Sequence, residues 1–396
     1  MEAKIIIGTS FGDEGKGAAV DYWTRDFRGS KIVVRFNGGG QAGHTVVHGD
    51  IRHVFSNFGS GTLNGVPTYW AKYCTFCPAS TLQEYKKLKE ISPNVVLYVD
   101  NLCPVITPFD INANRYDTVM MTNGTCGVGY GTTMKRHEET PYKLFAQDLL
   151  NMKVVKEKVK LISHYYSTDK PFILDGWNHV NTDKFFDSLK ELYKLRDSGN
   201  IIFVNEAEMF SQFHFSQFIF EGAQGILLDQ EHGFFPHVTR SNTTSKNAIE
   251  ILKRNNITNY SKYYISRAYQ TRHGNGPMSN ERYPVNLINN ENETNVNNAY
   301  QGSFRTGILD LDLLIHAIQI DLNYSENKNN NLVMTCLDQV SKFNIPVTYK
   351  DKKDILSIFD IFKILKSHFK GLRTIMSSNP RANWEVHTSE QKITNI

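Results

Sequence analysis

The segment richest in chemical groups is Gly8-Thr9-Ser10-Phe11-Gly12-Asp13-Glu14-Gly15-Lys16-Gly17, where four glycines surround two carboxylates and a lysine. Glycines let a backbone turn tightly around an anion, and a helix start offers it free N–H groups. Lys16 has the reach to meet terminal phosphates. A Walker A loop would place Ser or Thr after the lysine. Gly17 stands there instead, so the usual magnesium-binding hydroxyl is missing. Asp13 is unusual in such a loop, because phosphates repel a carboxylate. Two roles suit it, a Mg²⁺ ligand or a general base acting on a second substrate. The bland alternative is an acidic surface turn.

A second segment is Asn37-Gly38-Gly39-Gly40-Gln41-Ala42-Gly43-His44-Thr45. It directly follows a strand-like run. In a doubly wound sheet the carboxyl ends of neighbouring strands gather where ligands bind, so His44 is expected near the Asp13 loop. A histidine there can donate a proton or a hydrogen bond to developing negative charge. A purely structural glycine turn is the competing reading.

The elements that must position these loops alternate in type. Residues 4–8 and 31–36 are continuous Val/Ile runs, as expected of parallel strands covered on both faces. Residues 95–99, 172–174, 218–221, 263–266 and 332–337 are further strand candidates. Helices are expected over 18–25, over 80–91 with Ser80 as its cap, over 142–159, over 309–320 and over 356–369. This alternation predicts an α/β fold: one large domain over residues 1–396, with a central mainly parallel β-sheet flanked by helices in the manner of P-loop NTPases. The Asn-rich stretches 286–298 and 323–331 read as surface loops.

Composition narrows the function classes. The chain of 396 residues has 44 Lys+Arg against 40 Asp+Glu, a net charge of +4, which argues against a nucleic-acid binder with a dominant basic face. No run of about 18 apolar residues predicts a membrane span. The opening MEAKIIIGTS lacks a signal-peptide pattern. Five cysteines, an odd number, suggest a reducing compartment, and a cytoplasmic location is expected. Cys74 and Cys77 have C-x-x-C spacing without a second pair, so strand-end packing is favoured over a zinc or redox site. His232, His237 and His273 read as packing or hydrogen-bonding residues.

Taken together, G-D-E-G-K-G and the later A-G-H-T resemble the adenylosuccinate synthetase family. Further segments resemble that family in its own order: 124–131 (GTCGVGYG), 220–229 (FEGAQGILLD), 233–244 (GFFPHVTRSNTT), 267–277 (RAYQTRHGNGP), 305–310 (RTGILD), 335–338 (TCLD) and 377–380 (SSNP). The resemblance implies a ligase that joins L-aspartate to C6 of a 6-oxopurine nucleotide, driven by a nucleoside triphosphate with Mg²⁺. It implies catalytic positions at Asp13, Lys16, His44 and Gln224, with Mg²⁺ held by Asp13 and the Gly43 carbonyl. Nucleotide and phosphate contacts fall on Gly12, Glu14, Gly15, Gly17, Gln41, Ala42, Thr45, Thr125, Cys126, Thr239, Asp338, Ser377 and Ser378. Aspartate contacts fall on Gln301, Gly302, Ser303 and Arg305. Asp338 takes the place of a carboxylate that reads guanine, which favours GTP over ATP. Arg136 is the candidate for an arginine that crosses a homodimer interface to the phosphate.

Departures from the family pattern leave the substrate open. Only Arg305 remains of an arginine cluster, preceded by Gln301-Gly302-Ser303-Phe304. Cys126 replaces a threonine, Gln41 an asparagine and Cys336 a lysine. These changes resemble the phage branch, which converts dGMP to N6-succino-2-amino-2′-deoxyadenylate. Retention of Asp13 favours IMP. A nucleotide-binding sensor without turnover is the reading from a different class.

Overall fold

The structure, a computed structural model, describes residues 1–26, 29–92, 94–116, 124–169, 180–288, 303–327, 329–341, 344–377 and 384–387. Ten strands form its main sheet. In chain order the strands of the protein are β1 (Glu2–Gly8), β2 (Lys31–Arg35), β3 (His44–His48), β4 (Ile51–Phe55), β5 (Thr68–Trp70), β6 (Leu97–Asp100), β7 (Ile201–Val204), β8 (Gln217–Gly225), β9 (Tyr260–Arg267), β10 (Gln270–His273), β11 (Phe304–Gly307), β12 (Leu309–Asp310), β13 (Asn330–Thr335), β14 (Ile345–Tyr349), β15 (Lys352–Leu356), β16 (Arg373–Ser377) and β17 (Trp384–His387). The large sheet runs β17-β16-β13-β9-β1-β8-β2-β5-β6-β7. Every pairing in it is parallel except β16 with β17. The expected α/β class with a mainly parallel sheet is what folds.

The unalternating Val/Ile runs have the expected cause. Ile5 and Ile7 face a cluster with Val34, Phe36 and Phe220, while Ile6 faces the opposite layer with Ala19, Val20, Val33 and Ile219. Both sheet faces are dry along residues 5–7, so none of these three positions tolerates a polar residue cheaply, whereas Glu2 and Lys4 at the start of β1 are half-buried and pair with each other. Truncating a fully buried isoleucine such as Ile6 to Ala would cost about 2–5 kcal/mol.

Strand order determines which loops meet. β1 lies between β8 and β9, with β2 on the far side of β8 and β13 beyond β9. The loops leaving the carboxyl ends of β1, β2, β8, β9 and β13 therefore gather at one edge of the sheet, where open α/β sheets bind ligands.

Several expected boundaries shift. The first helix, α1, begins at Lys16 rather than residue 18 and spans Lys16–Thr24, so Lys16 and Gly17 are its first two residues. The next helix starts at Pro78 and is flanked by Cys77, not by Ser80; proline needs no hydrogen-bond acceptor at a helix start. Ser80 instead donates from Oγ to the Asn57 Oδ1 and to the Cys77 carbonyl. The expected helix over 142–159 is two pieces, a tight turn over Ala146–Leu150 and a helix over Met152–Asp169, divided at Asn151. Asn151 competes with helical pairing by accepting from the Lys153 and Val154 N–H groups. The helix expected over 309–320 spans Leu311–Leu322, with Asp310 accepting from the Leu313 N–H as its cap. The candidate strand 172–174 lies outside the described residues.

Candidate active site

Local geometry first turns Glu14 inward. Its carboxylate accepts from the Ser10 N–H at 2.9 Å, the Gly12 N–H at 3.0 Å and the Lys16 ammonium at 2.5 Å. Both side chains of the Glu14–Lys16 pair are enclosed. Glu14 thus shapes the loop from inside and holds Lys16 at the helix start. Tight neighbours enforce this: a Cβ at Gly8 would lie 2.4 Å from Glu14 Oε2, and one at Gly225 2.3 Å from the Ser10 carbonyl. Thr335 at the end of β13 seals the other side, its hydroxyl donating to the Glu14 carbonyl at 2.7 Å. Asp338 follows three residues later, half-buried, accepting from Gln339 at 3.1 Å.

Gly17 now has a tertiary explanation. A Cβ there would lie 2.9 Å from the Cβ of His44 and 3.0 Å from Ser60 Oγ. The space a Walker-type serine or threonine would fill belongs to the histidine.

His44 is buried at the start of β3, and its Nδ1 lies 2.5 Å from Glu221 Oε1. Glu221 is fully enclosed on β8 and also accepts from the Ser60 N–H at 3.0 Å and the Ser60 hydroxyl at 2.5 Å. Nδ1 must therefore carry the proton it donates to the carboxylate. The neutral imidazole consequently presents a bare Nε2, which is buried and without a hydrogen-bond partner among the described residues. Burial pushes the His44 pKa below the ordinary histidine value; Glu221 opposes this, while Arg35 and Lys16 add to it. Burial acts to raise the Glu221 pKa, but the charge and hydrogen bond of His44, then Arg35 and Ser60, hold it below the usual carboxylate value. Glu221 was not among the residues singled out from the sequence, although it lies inside the FEGAQG segment.

Asp13 sits in the left-handed region, at φ 63°. Burial raises its pKa above the usual carboxylate value, Glu14 adds to the rise, and Arg267, Lys16 and His273 pull against it. Among the described residues, no hydrogen bond to its carboxylate is present. A half-desolvated carboxylate with its lone pairs unspent suits either a proton to be taken or a hard cation, so the donor chemistry fits Mg²⁺. Arg267 donates from Nε to the Asp13 carbonyl and from Nη1 to the Tyr269 hydroxyl at 2.6 Å. Sequence reading missed this arginine too, although it opens the RAYQTR segment.

The remaining candidates have the following surroundings. Gln224, also left-handed at φ 60°, borders Gly12: a Cβ on Gly12 would be 3.7 Å from the Gln224 Cα. Gln41 has both amide atoms buried without a hydrogen-bond partner among the described residues, close beside Gly38 and Gly39. Ala42 is buried, Thr45 half-buried and Gly43 exposed in the same turn. Cys126 lies within electrostatic range of Asp13, and burial pushes its thiol up to about 11, so it stays protonated. Thr125 exchanges hydrogen bonds with Asn114 at 2.8 and 3.1 Å. Thr239 is half-buried, its N–H donating to the Leu228 carbonyl.

Arg305 pairs with Glu281 at 2.9 Å and donates to the carbonyls of Gly274 and Gly276. It lies opposite Arg272 in the β10–β11 ladder, and the Arg272 guanidinium sits 4.2 Å from the Phe11 ring centre. This chain of contacts ties the expected aspartate loop to the phosphate loop. Ser303 is exposed, while Gln301 and Gly302 lie outside the described residues. Ser377 ends β16, and Ser378 lies outside the described residues.

One expectation fails on geometry. Arg136 faces inward: its side chain is enclosed, bidentate to Asp110 at 2.8 Å and bonded to the carbonyls of Val105 and Tyr142. An arginine so fully spent is an internal strut. The five cysteines are free thiols, and Cys74, buried and pushed up to about 12, packs as expected. A small recess opens between Glu14, Arg267 and Asp310. It includes neither Asp13 nor His44.

The family profile described as adenylosuccinate synthetase matches residues 5–378. The adenylosuccinate synthetase of Blochmanniella floridana is 32% identical over 293 residues, which cover 70% of this chain and 65% of that protein. The fully ligated adenylosuccinate synthetase of Plasmodium falciparum superposes with a TM-score of 0.73 at 20% identity, covering 98% of this chain and 100% of that one. The succinoaminodeoxyadenylate synthetase of cyanophage S-2L, bound to dGMP and dATP as an energy donor, gives 0.64 at 15% identity, covering 96% and 93%.

Proposed function

Because the chain belongs to the adenylosuccinate synthetase family of ligases, we propose that it joins L-aspartate to C6 of IMP, consuming GTP and releasing adenylosuccinate, GDP and phosphate. A ring carbonyl oxygen leaves poorly, and phosphorylation converts it into a good leaving group. Asp13 takes the proton from N1 of the base as O6 attacks the γ-phosphorus. The bond between that phosphorus and the β–γ bridging oxygen breaks, leaving GDP and a 6-phosphoryl nucleotide. The amine of aspartate then adds at C6, the phosphate departs with the C6–O6 bond pair, and the added nitrogen gives up one proton to the departing phosphate. A raised Asp13 pKa makes its ionised form a stronger base than an exposed carboxylate. His44, held by Glu221, turns Nε2 towards the transferring group and donates from it once protonated. Lys16 and the loop amides stabilise charge on the phosphoryl oxygens.

Asp13 and the Gly43 carbonyl would hold Mg²⁺, which when bound supplies positive charge to the phosphates. Asp338 would accept from N1–H and the 2-amino group of guanine. We take residues 1–396 to work as one catalytic unit and the active form to be a homodimer.

The observation that most supports this reading is the enclosed His44–Glu221 couple with a partnerless Nε2 beside Lys16. A second reading, dGMP in place of IMP with ATP or GTP as donor, is favoured by Arg305: its guanidinium is committed to Glu281 and two carbonyls, and no other arginine of the cluster is present. Phosphate release with Mg²⁺, aspartate, either nucleotide and either triphosphate tests both. Release that needs aspartate and IMP supports the first reading, and release that needs dGMP selects the second. Nucleotide binding without turnover in every combination would leave a sensor.

A further inference from the structure

Thr75 lies just past β5, and the proposed reaction gives it no role. Its side chain is enclosed, at 1% exposure. Its backbone is fully spent: the N–H donates to the Gly38 carbonyl at 3.0 Å, and the carbonyl accepts from Trp70 Nε1 at 3.0 Å. The hydroxyl alone is left over, with no hydrogen-bond partner among the described residues. Valine has the same shape without a polar atom, so an unanswered hydroxyl here is a net cost to the fold. A second orphan stands beside it. Both amide atoms of Gln41, an expected nucleotide contact, are buried and without a partner among the described residues.

Gly39 brings the two together. A Cβ built there would collide with Thr75 Oγ1, and would stand 2.9 Å from Gln41 Oε1 and 3.2 Å from the Tyr130 ring. Both orphan groups thus lie against the same glycine, and no side chain at 39 comes between them. The turn is firmly held: Asn37 exchanges hydrogen bonds with both backbone groups of Ala223 at 2.8 and 3.1 Å, and the Gly38 N–H donates to Ser241 Oγ at 3.3 Å. Ala223 adjoins Gln224, and Ser241 lies two residues past Thr239. Strand order indicates which ligand reaches this turn. The sheet runs β13-β9-β1-β8-β2-β5, so the turn leaving β2 and the Asp338 segment leaving β13 lie on opposite flanks of the β1 loop. In the proposed reaction Asp338 takes the guanine of the triphosphate, and Asp13 takes the base of the acceptor nucleotide. The β2–β5 flank, two strand spacings or roughly 10 Å from β1, is then left to the rest of that acceptor.

We propose that Thr75 is a binding residue for the acceptor nucleotide: beside the Gln41 amide, its hydroxyl donates a hydrogen bond to an oxygen of the nucleotide's sugar–phosphate. Gln41 is only half-buried, so its side chain is the cover that moves aside when the nucleotide enters. The proposal rests on the ligase reading for the placement of the base at Asp13.

The test is calorimetric binding of IMP and of dGMP to the full chain, without triphosphate or aspartate, so that it is read apart from turnover. Thr75→Val deletes the hydroxyl and keeps the bulk. T75V should bind whichever nucleotide the wild type binds about tenfold more weakly, with its affinity for GTP or ATP within about twofold and a melt no lower than wild type. T75S keeps the hydroxyl and should bind within about threefold of wild type. The matching nucleosides, inosine and deoxyguanosine, locate the oxygen: a T75V loss that persists on the nucleoside assigns it to the sugar, and one that vanishes assigns it to the phosphate. A T75V affinity within about twofold of wild type overturns the proposal, because water then answers the hydroxyl. A T75V that melts clearly lower also overturns it, because the chain itself then answers the hydroxyl. Should T75V fail to fold, T75A is judged by the same limits on affinity. A wild-type chain that binds neither nucleotide sinks this proposal and the ligase reading together, whereas binding that T75V leaves intact sinks this one alone.

Discussion

Adding one methyl group at Gly17 tests the packing of the site at its tightest point. In Gly17→Ala the new Cβ would meet the His44 Cβ at 2.9 Å and Ser60 Oγ at 3.0 Å. Neither neighbour is a free chain end: His44 is tied to Glu221 at 2.5 Å, and so is the Ser60 hydroxyl. Two effects on stability oppose each other. Alanine at the second residue of α1 gains about 0.5–1 kcal/mol in backbone entropy. Overpacking of this kind costs about 1–3 kcal/mol. The collision wins or nearly cancels, so a net loss of up to about 2.5 kcal/mol is expected. Function should suffer more, because relief of the contact moves the imidazole by roughly 0.5–1 Å, and a 1 Å misplacement costs on the order of a hundredfold in rate. The assay is steady-state phosphate release beside a thermal melt. Gly131→Ala is the stability control: Gly131 is likewise the second residue of its helix, but a Cβ there meets nothing within 4 Å, so this variant should gain stability. G17A with wild-type kcat, or with the same stability gain as G131A, would refute the claim that His44 excludes a side chain at position 17.

Other outcomes can be checked alongside. Asp13→Asn should abolish turnover, and activity of the unmodified protein should fall on acidification at a pH above the ordinary carboxylate range, because the base must be ionised and its pKa is raised. The stability sign runs opposite to activity: a group with a raised folded pKa contributes fully below its unfolded value near 3.8 and loses that contribution as pH rises through the folded value. D13N should therefore melt no lower than the parent at neutral pH, and a clear drop would count against the burial argument. Glu221→Gln removes a charge-assisted bond worth about 1.5–3 kcal/mol, so kcat should fall about 10- to 150-fold, and a fall below threefold in a folded variant would show that the carboxylate does not matter. Glu14→Ala strands Lys16 and two backbone N–H groups, so denaturant unfolding should register a loss of about 3–5 kcal/mol.

What the sequence by itself determined is local. Unbroken Val and Ile in residues 4–8 and 31–36 dictate strands covered on both faces, and glycines at fixed intervals dictate loops that can wrap an anion. Those patterns suffice for the α/β class and for naming Asp13, Lys16 and His44, because each motif is contiguous. Periodicity was less dependable at element ends, where Asn151 breaks one expected helix and Pro78 begins another ahead of Ser80. Glu14 read as a phosphate contact, yet its carboxylate points into the loop it belongs to.

Only the tertiary structure decided which distant groups meet. Glu221 is 177 positions from His44, and nothing in the spacing of either segment couples them. The coupling follows from β8 inserting between β1 and β2, which sets Glu221 level with Arg35 and within hydrogen-bond reach of His44. Arg136 was assigned outward and lies inward for the same reason, since its partner Asp110 comes from another helix. Side-chain periodicity records which face of an element is dry. Strand order, a property of the whole packed sheet, determines which charges share that dry space and must therefore neutralise one another.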